Sequence, residues 1–274
     1  MEYCIAVVRT GSASMLSPFG VILAANVFAT LLLGVFTLPP SRIVRGSHAA
    51  LGEFPFIISL RWKTYGHLCG GSIISPRHVL TAGHCADELT SEELNVVSGF
   101  VNEHDRFAVV TKVKNITMHP NFIAKAKGGR VQNDLAVLTL TDDLVLDGYR
   151  RDAIRLPIKP YVANTSGITA GWGYTQPLLE QDDYTDSSAD LNKLNVTIVT
   201  HDVCRKSRLP PFEYQICATN TNGVVCQGDS GGPLVIDNVL VGVLSTSSCL
   251  IGSTPAFMDV YYFKDFIEKA MNAV

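Results

Sequence analysis

From Ile43 onward the sequence predicts an all-β fold, a barrel or a sandwich. Short runs are apolar or alternate, and they are rich in β-branched residues. Turn signals recur about every 8–12 residues between them. Helical periodicity is convincing only at the end of the chain.

Taken in order, the first predicted strand is Phe56–Trp62 (FIISLRW), and His78-Val79-Leu80 is a shorter β-type run. Phe107–Val113, Leu135–Leu140 and Leu194–Val199 follow. Leu234–Leu244 is long enough for two strands, and Asp237-Asn238 within it reads as a hairpin turn. In Tyr261–Met271 the residues Tyr262, Phe263, Phe266, Ile267, Ala270 and Met271 share one helical face. Residues 142–160 have few strand signals and several charges, which suits a crossover between two halves. Residues 181–190 (QDDYTDSSAD) read as a solvated loop.

With 47% hydrophobic and 17% charged residues, the 274-residue chain can build a large core. A net charge of −3 without any basic run gives no electrostatic reason to expect nucleic acid as a partner. Phe19–Phe36 runs 18 residues without a charge, with Arg9 ahead of it and Leu38-Pro39-Pro40 behind. Residues 1–36 therefore read as a secretory signal, with initiation at Met15 as a variant, and the product as secreted. The rival is a membrane anchor, because that length just spans a bilayer. Of seven cysteines, Cys4 lies in this segment. The other six (Cys69, Cys85, Cys204, Cys217, Cys226, Cys249) suit three disulfides, though arithmetic alone leaves their pairing open. No C-x-x-C pair supports a zinc site, and neither a metal nor another cofactor is expected. Glu103 and Asp105, in the short loop 99–106, read as solvated acids.

Hydrolysis by a serine needs a base, a group that holds the base in one tautomer, and fixed donors for an oxyanion. Ser230 sits in Gly228-Asp229-Ser230-Gly231-Gly232-Pro233, a turn that exposes the hydroxyl and aims backbone N–H groups at one point. His84 stands beside Cys85 in LTAGHC, and Asp134 opens the apolar run NDLAVL, where an acid needs a buried partner.

LTAGHC, NDLAVL, GWG at 171–173 and CQGDSGGPL, in that order and with 50 and 96 residues between His84, Asp134 and Ser230, resemble the chymotrypsin/trypsin-like serine endopeptidases. The resemblance implies two packed six-stranded antiparallel β-barrels with a C-terminal α-helix, over residues 43–274. It implies Ser230 as nucleophile, His84 as general base and Asp134 as the group orienting it, with the N–H groups of Gly228 and Ser230 as oxyanion hole. Ser245 matches the serine that supports the aspartate. The implied disulfides are Cys69–Cys85, Cys204–Cys217 and Cys226–Cys249. PPSRIVRG resembles a zymogen junction, with residues 37–42 as propeptide. Cleavage after Arg42 by a trypsin-like activator would free the Ile43 amine to pair with Asp229. Before that cleavage the oxyanion turn is expected to be disordered.

The same resemblance places Val224 and Val225 at the base of the primary pocket, where a cationic substrate side chain would lose its hydration and gain no partner. Ser247 at the entrance and Ala256 on the back wall add volume where the family has glycine. Medium aliphatic residues are therefore preferred over large aromatics, and tryptic specificity is excluded. Thr246 stands where a tryptophan usually floors the neighbouring subsite, Arg45 replaces a glycine, and Gly83 replaces an alanine. Three sequons, at Asn115, Asn164 and Asn195, mark candidate glycosylation sites. The implied partners are protein or peptide substrates and protein protease inhibitors, and the chain is expected to be a monomer. The rival from another class is a catalytically silent homologue that acts by binding.

Overall fold

The computed structural model describes residues 43–63, 66–124, 130–175, 188–206 and 210–273. The signal and propeptide readings, Arg42, Cys4 and residues 181–187 of the acidic loop lie outside them. Among the described residues no helix is long and apolar enough to cross a membrane.

Among the described residues thirteen strands, β1 to β13, cover Ser47–His48, Ile57–Trp62, His67–Ser75, His78–Thr81, Leu94–Ser98, Val109–Met118, Ala136–Leu140, Ser166–Gly171, Asn192–Val199, Gln215–Thr219, Pro233–Ile236, Val239–Thr246 and Ala256–Asp259. Helix α1 is the single turn His201–Cys204, and α2 is Lys264–Met271. The first barrel closes in the order β2-β3-β4-β7-β6-β5, with β5 returning antiparallel to β2. The second runs β9-β10-β13-β12-β11-β8 and closes where β8 pairs with β9. The short β1 adds to the outside of β9. Both barrels are six-stranded and antiparallel. Residues 141–165 carry no strand and join β7 of the first barrel to β8 of the second.

Each predicted run holds a strand, and the hairpin between β11 and β12 turns at Asp237 (φ 50°) and Asn238 (φ 57°). Two consecutive left-handed residues match the twist of the flanking strands. β7 is buried at four of its five positions rather than alternating. Helix α2 packs against it, and Phe263, Ile267 and Ala270 join the same apolar cluster. Burying a side chain such as Ile267 is worth about 1.5–3 kcal/mol, so the end of the chain seals the first barrel.

β3 (HLCGGSIIS) escaped the sequence reading because two glycines interrupt its pattern. A side chain at Gly70 would sit 2.9 Å from the Cα of Gly232. The glycine is what lets the turn around Ser230 lie directly on β3. A second cluster joins Ile43 to Val225, Leu194, Leu234, Leu244 and Phe257. Ile43 is fully buried, so the start of the described chain is built into the second barrel.

Candidate active site

His84 lies in a single 3-10 turn, Gly83–Cys85, just after β4. Asp134 lies just before β7, after Asn133, whose φ of 47° turns the chain into the strand. The Asn133 side-chain amide donates to the Asn121 carbonyl at 2.8 Å and holds that turn. β4 and β7 are hydrogen-bonded neighbours, so the barrel itself brings the two side chains together.

Asp134 is fully buried, and each oxygen is used. Oδ1 accepts the backbone N–H of His84 at 2.8 Å. Oδ2 accepts His84 Nδ1–H at 2.8 Å and the Ser245 hydroxyl, from β12 of the other barrel, at 2.5 Å. Nδ1 is therefore the protonated nitrogen, and Nε2 is left with its lone pair. Burial pulls the His84 pKa down, but the hydrogen bond and charge of Asp134, with the charge of Asp87, outweigh it, and the pKa rises.

The turn carrying Ser230 is anchored on the same framework. The Ser230 carbonyl accepts Gly70 N–H at 2.7 Å, and the Gly70 carbonyl accepts the Thr81 hydroxyl at 2.8 Å. A Cβ on Gly231 would lie 3.1 Å from Ala82 N, two residues before His84. The N–H groups of Asp229, Gly231 and Gly232 are spent on Cys226, Leu244 and Asp229 carbonyls. Those of Gly228 and Ser230 make no hydrogen bond among the described residues. No hydrogen bond joins Ser230 Oγ to His84 Nε2 among them either, and the Cys85 sulfur lies 3.7 Å from that nitrogen. Contacts of this kind are commonly loose until substrate closes them.

A match to a family model, described as trypsin, extends over residues 43–267. The chain belongs to the trypsin family. It is 31% identical to trypsin zeta of Drosophila melanogaster over 255 residues, covering 86% of this chain and 88% of that one. It is 33% identical to lectizyme of Glossina austeni over 239 residues, 81% of each chain. With a trypsin of Saccharopolyspora erythraea it shares 32% over 209 residues, 74% of this chain and 86% of the other.

The trypsin-family disulfide framework is formed as the resemblance implied: Cys69–Cys85, Cys204–Cys217 and Cys226–Cys249. The first ties the His84 turn to β3. Cys69, His84 and Cys85 are close together, but the two sulfurs are bonded to each other and offer a metal no thiolate.

Asp229 is buried, and burial raises its pKa to about 7 against the opposing pull of Cys226 N–H and Gly173 N–H. Those two donors hold its carboxylate at 2.8 Å each. GWG at 171–173 thereby acquires a purpose: a Cβ on Gly173 would come within 2.6 Å of both Asp229 oxygens. The turn around Asp229 and Ser230 is held from several sides. Backbone donors hold it, and so does His67, which sequence reasoning missed. His67 Nε2–H donates to the Gly228 carbonyl at 2.9 Å, and the Ser59 hydroxyl donates to Nδ1 at 2.8 Å. Burial lowers the His67 pKa to about 4, so the ring stays neutral.

Val224 and Val225 are 1% and 2% exposed. Val224 packs with Val44 and the Cys226–Cys249 disulfide, and its N–H donates to the Val44 carbonyl at 3.1 Å. Val225 faces the cluster of Ile43. Thr246, Ser247 and Ala256 instead line a separate cavity of about 810 Å³. Ser247 links the two places, because its hydroxyl donates to the Val225 carbonyl at 2.6 Å.

Arg45 sits at φ 60°, in the left-handed region that favours glycine. Asp105 is not a free solvated acid: it pairs with Arg150 at 2.9 Å. Asn115, Asn164 and Asn195 are all exposed.

Proposed function

We propose that this chain is a secreted serine endopeptidase, made as a zymogen, that cuts peptide bonds after apolar residues. The observation that carries the reading is the relay from Ser245 through buried Asp134 to His84 Nδ1, which leaves Nε2 free to take a proton. Ser230 Oγ attacks the scissile carbonyl, and its proton passes to His84 Nε2. The free N–H groups of Gly228 and Ser230 receive the oxyanion; each such donor is worth roughly 3–4 kcal/mol. The imidazolium, stabilised by Asp134, then protonates the leaving amine, and water repeats the sequence on the acyl-enzyme.

Activation is by cleavage after Arg42. The new Ile43 ammonium pairs with Asp229 and draws its raised pKa back down, replacing a neutral or uncompensated buried acid with an ion pair. A trypsin-like protease performs the cut, since the apolar lining around Val224 and Val225 does not suit arginine. The sealed packing of both valines favours small and medium aliphatic residues. Three exposed sequons agree with passage through a secretory route.

The test is cleavage of peptide p-nitroanilides that carry Ala, Leu, Phe or Arg before the leaving group, by the chain cut after Arg42. Release after Leu or Ala is expected to be fastest. Fast release after Arg refutes the specificity, and no release from any of them favours the silent, binding homologue.

A further inference from the structure

We propose that Phe122 is a positioning residue for the chemistry at Ser230: with the Asn121 carbonyl beside it, its ring sets the register of the His84 turn against the Asp134 turn. The inference rests on the proteolytic reading and names what aligns its base.

The observation that carries it is a matched pair. Gly83 opens the 3-10 turn that holds His84, and it is buried. A Cβ there would lie 2.9 and 3.0 Å from two carbons of the Phe122 ring and 3.1 Å from Leu135 N. Ordinary carbon contacts are about 3.5–4.0 Å, so the ring edge stands where a methyl would be. Gly83 is not among the glycines at positive φ, so it supplies space here and not a special backbone conformation. Alanine, which the family resemblance puts at this position, does not fit beside the ring. Glycine and ring therefore go together, and the His84 turn rests directly on Phe122.

The residue before Phe122 braces the second turn. The Asn121 carbonyl accepts the Asn133 side-chain amide at 2.8 Å. Asn133 has φ 47° and delivers Asp134 towards β7, so that bond holds an uncommon backbone conformation in place. Two adjacent residues thus brace two turns whose triad members lie 50 residues apart in sequence. Their register matters because His84 uses both Asp134 oxygens, one through its N–H and one through Nδ1, each at 2.8 Å. The brace has a firm backing. Phe122 N–H donates to the His119 carbonyl at 2.9 Å, and His119 N–H donates to the Leu135 carbonyl at 3.0 Å. The His119 ring meets Phe263 and Phe266 edge-on, with centroids 5.2 and 4.8 Å away. Beyond Phe122, Ile123 and Gln132 exchange two hydrogen bonds of 3.1 Å. The segment is tied to the start of β7 and to the aromatic side chains of α2, so it cannot follow a shifted turn without breaking bonds.

The test is a double-mutant cycle on the chain cut after Arg42: Gly83→Ala, Phe122→Leu and the pair. Turnover of a leucine p-nitroanilide is followed against pH, with rates taken per site labelled by an organophosphonate. Gly83→Ala drives the His84 turn off the ring, and kcat is expected to fall about tenfold with KM unchanged. Phe122→Leu leaves the turn unsupported and costs about fivefold. In the pair the smaller side chain admits the methyl, and kcat returns to within about threefold of the parent. Asp134 and Asp87 act on His84, so a loosened register also moves the midpoint of the kcat/KM profile down toward 6.5 in each single variant and back up in the pair. Unchanged kcat in Gly83→Ala overturns the proposal. So do losses that multiply in the pair, or a kcat loss with the pH midpoint unmoved. A rise in KM at constant kcat makes Phe122 a substrate contact and overturns it too. Should Gly83→Ala fail to fold, folding and turnover restored in the pair is the expected result, and a pair that stays unfolded overturns the proposal. A parent chain with neither labelling nor hydrolysis overturns the protease reading itself, and this inference with it.

Discussion

Gly173→Ala tests the link between GWG and the turn of Ser230. The new methyl would lie 2.5 and 2.6 Å from the two Asp229 oxygens. An ordinary carbon contact is about 3.5 Å, so the carboxylate must retreat by about 1 Å. Its two bonds, from Gly173 N–H and Cys226 N–H at 2.8 Å, then pass beyond hydrogen-bonding range. Bonds to a charged acceptor are worth about 1.5–3 kcal/mol each, so the loss is about 3–6 kcal/mol. Against a total stability of about 5–15 kcal/mol, the thermal midpoint should fall by about 10 °C or more. Displaced turn donors should lower turnover by at least about a hundredfold. Gly148→Ala is the control: nothing lies within 4 Å of the added methyl, and although the φ of Gly148 is left-handed (72°), the cost is only about 1 kcal/mol. Differential scanning calorimetry and turnover on a leucine p-nitroanilide measure both effects. If Gly173→Ala keeps the midpoint and rate of Gly148→Ala, the reasoning fails.

Four further outcomes are expected. The His84 pKa is raised and the base must be neutral to act, so kcat/KM should climb with pH through a midpoint above the ordinary 6.5. Ser245→Ala removes one partner of Asp134 Oδ2 and tightens its hold on the imidazolium, so that midpoint should move higher and the rate fall about tenfold. Asp229 binds its proton more tightly in the folded precursor, at about 7, than an unfolded carboxyl at 3.8. Precursor stability is therefore lost as pH rises through that window, and melting the uncut and cleaved chains at pH 5 and pH 8 should show a smaller loss after cleavage. Val224→Asp buries an unpaired acid beside Val44 and Cys226, costing about 3–5 kcal/mol. It should not create fast cleavage after arginine, which the arginine p-nitroanilide reports.

The elements most legible in the sequence were those whose signal is local. LTAGHC and NDLAVL name their residues because strand, turn and side chain are adjacent in the chain, and β4 beside β7 brings them together. The hairpin at Asp237-Asn238 was legible for the same reason. β3 was hidden because Gly70 serves a turn more than 150 residues away, and packing of that kind leaves no periodic mark. His67 was missed likewise: its partner, the Gly228 carbonyl, is 161 residues distant, and an isolated histidine carries no signal. The sealing of Val224 depends on Val44, which only the folded start of the described chain supplies.

The most direct measurement is peptide mapping by mass spectrometry after the Arg42-cleaved chain reacts with a peptidyl organophosphonate. The account predicts one adduct per chain, on Ser230, forming faster as pH rises and slowed by at least about a thousandfold in His84→Ala. An adduct on another residue, or labelling of Ser230 that ignores His84, would contradict it.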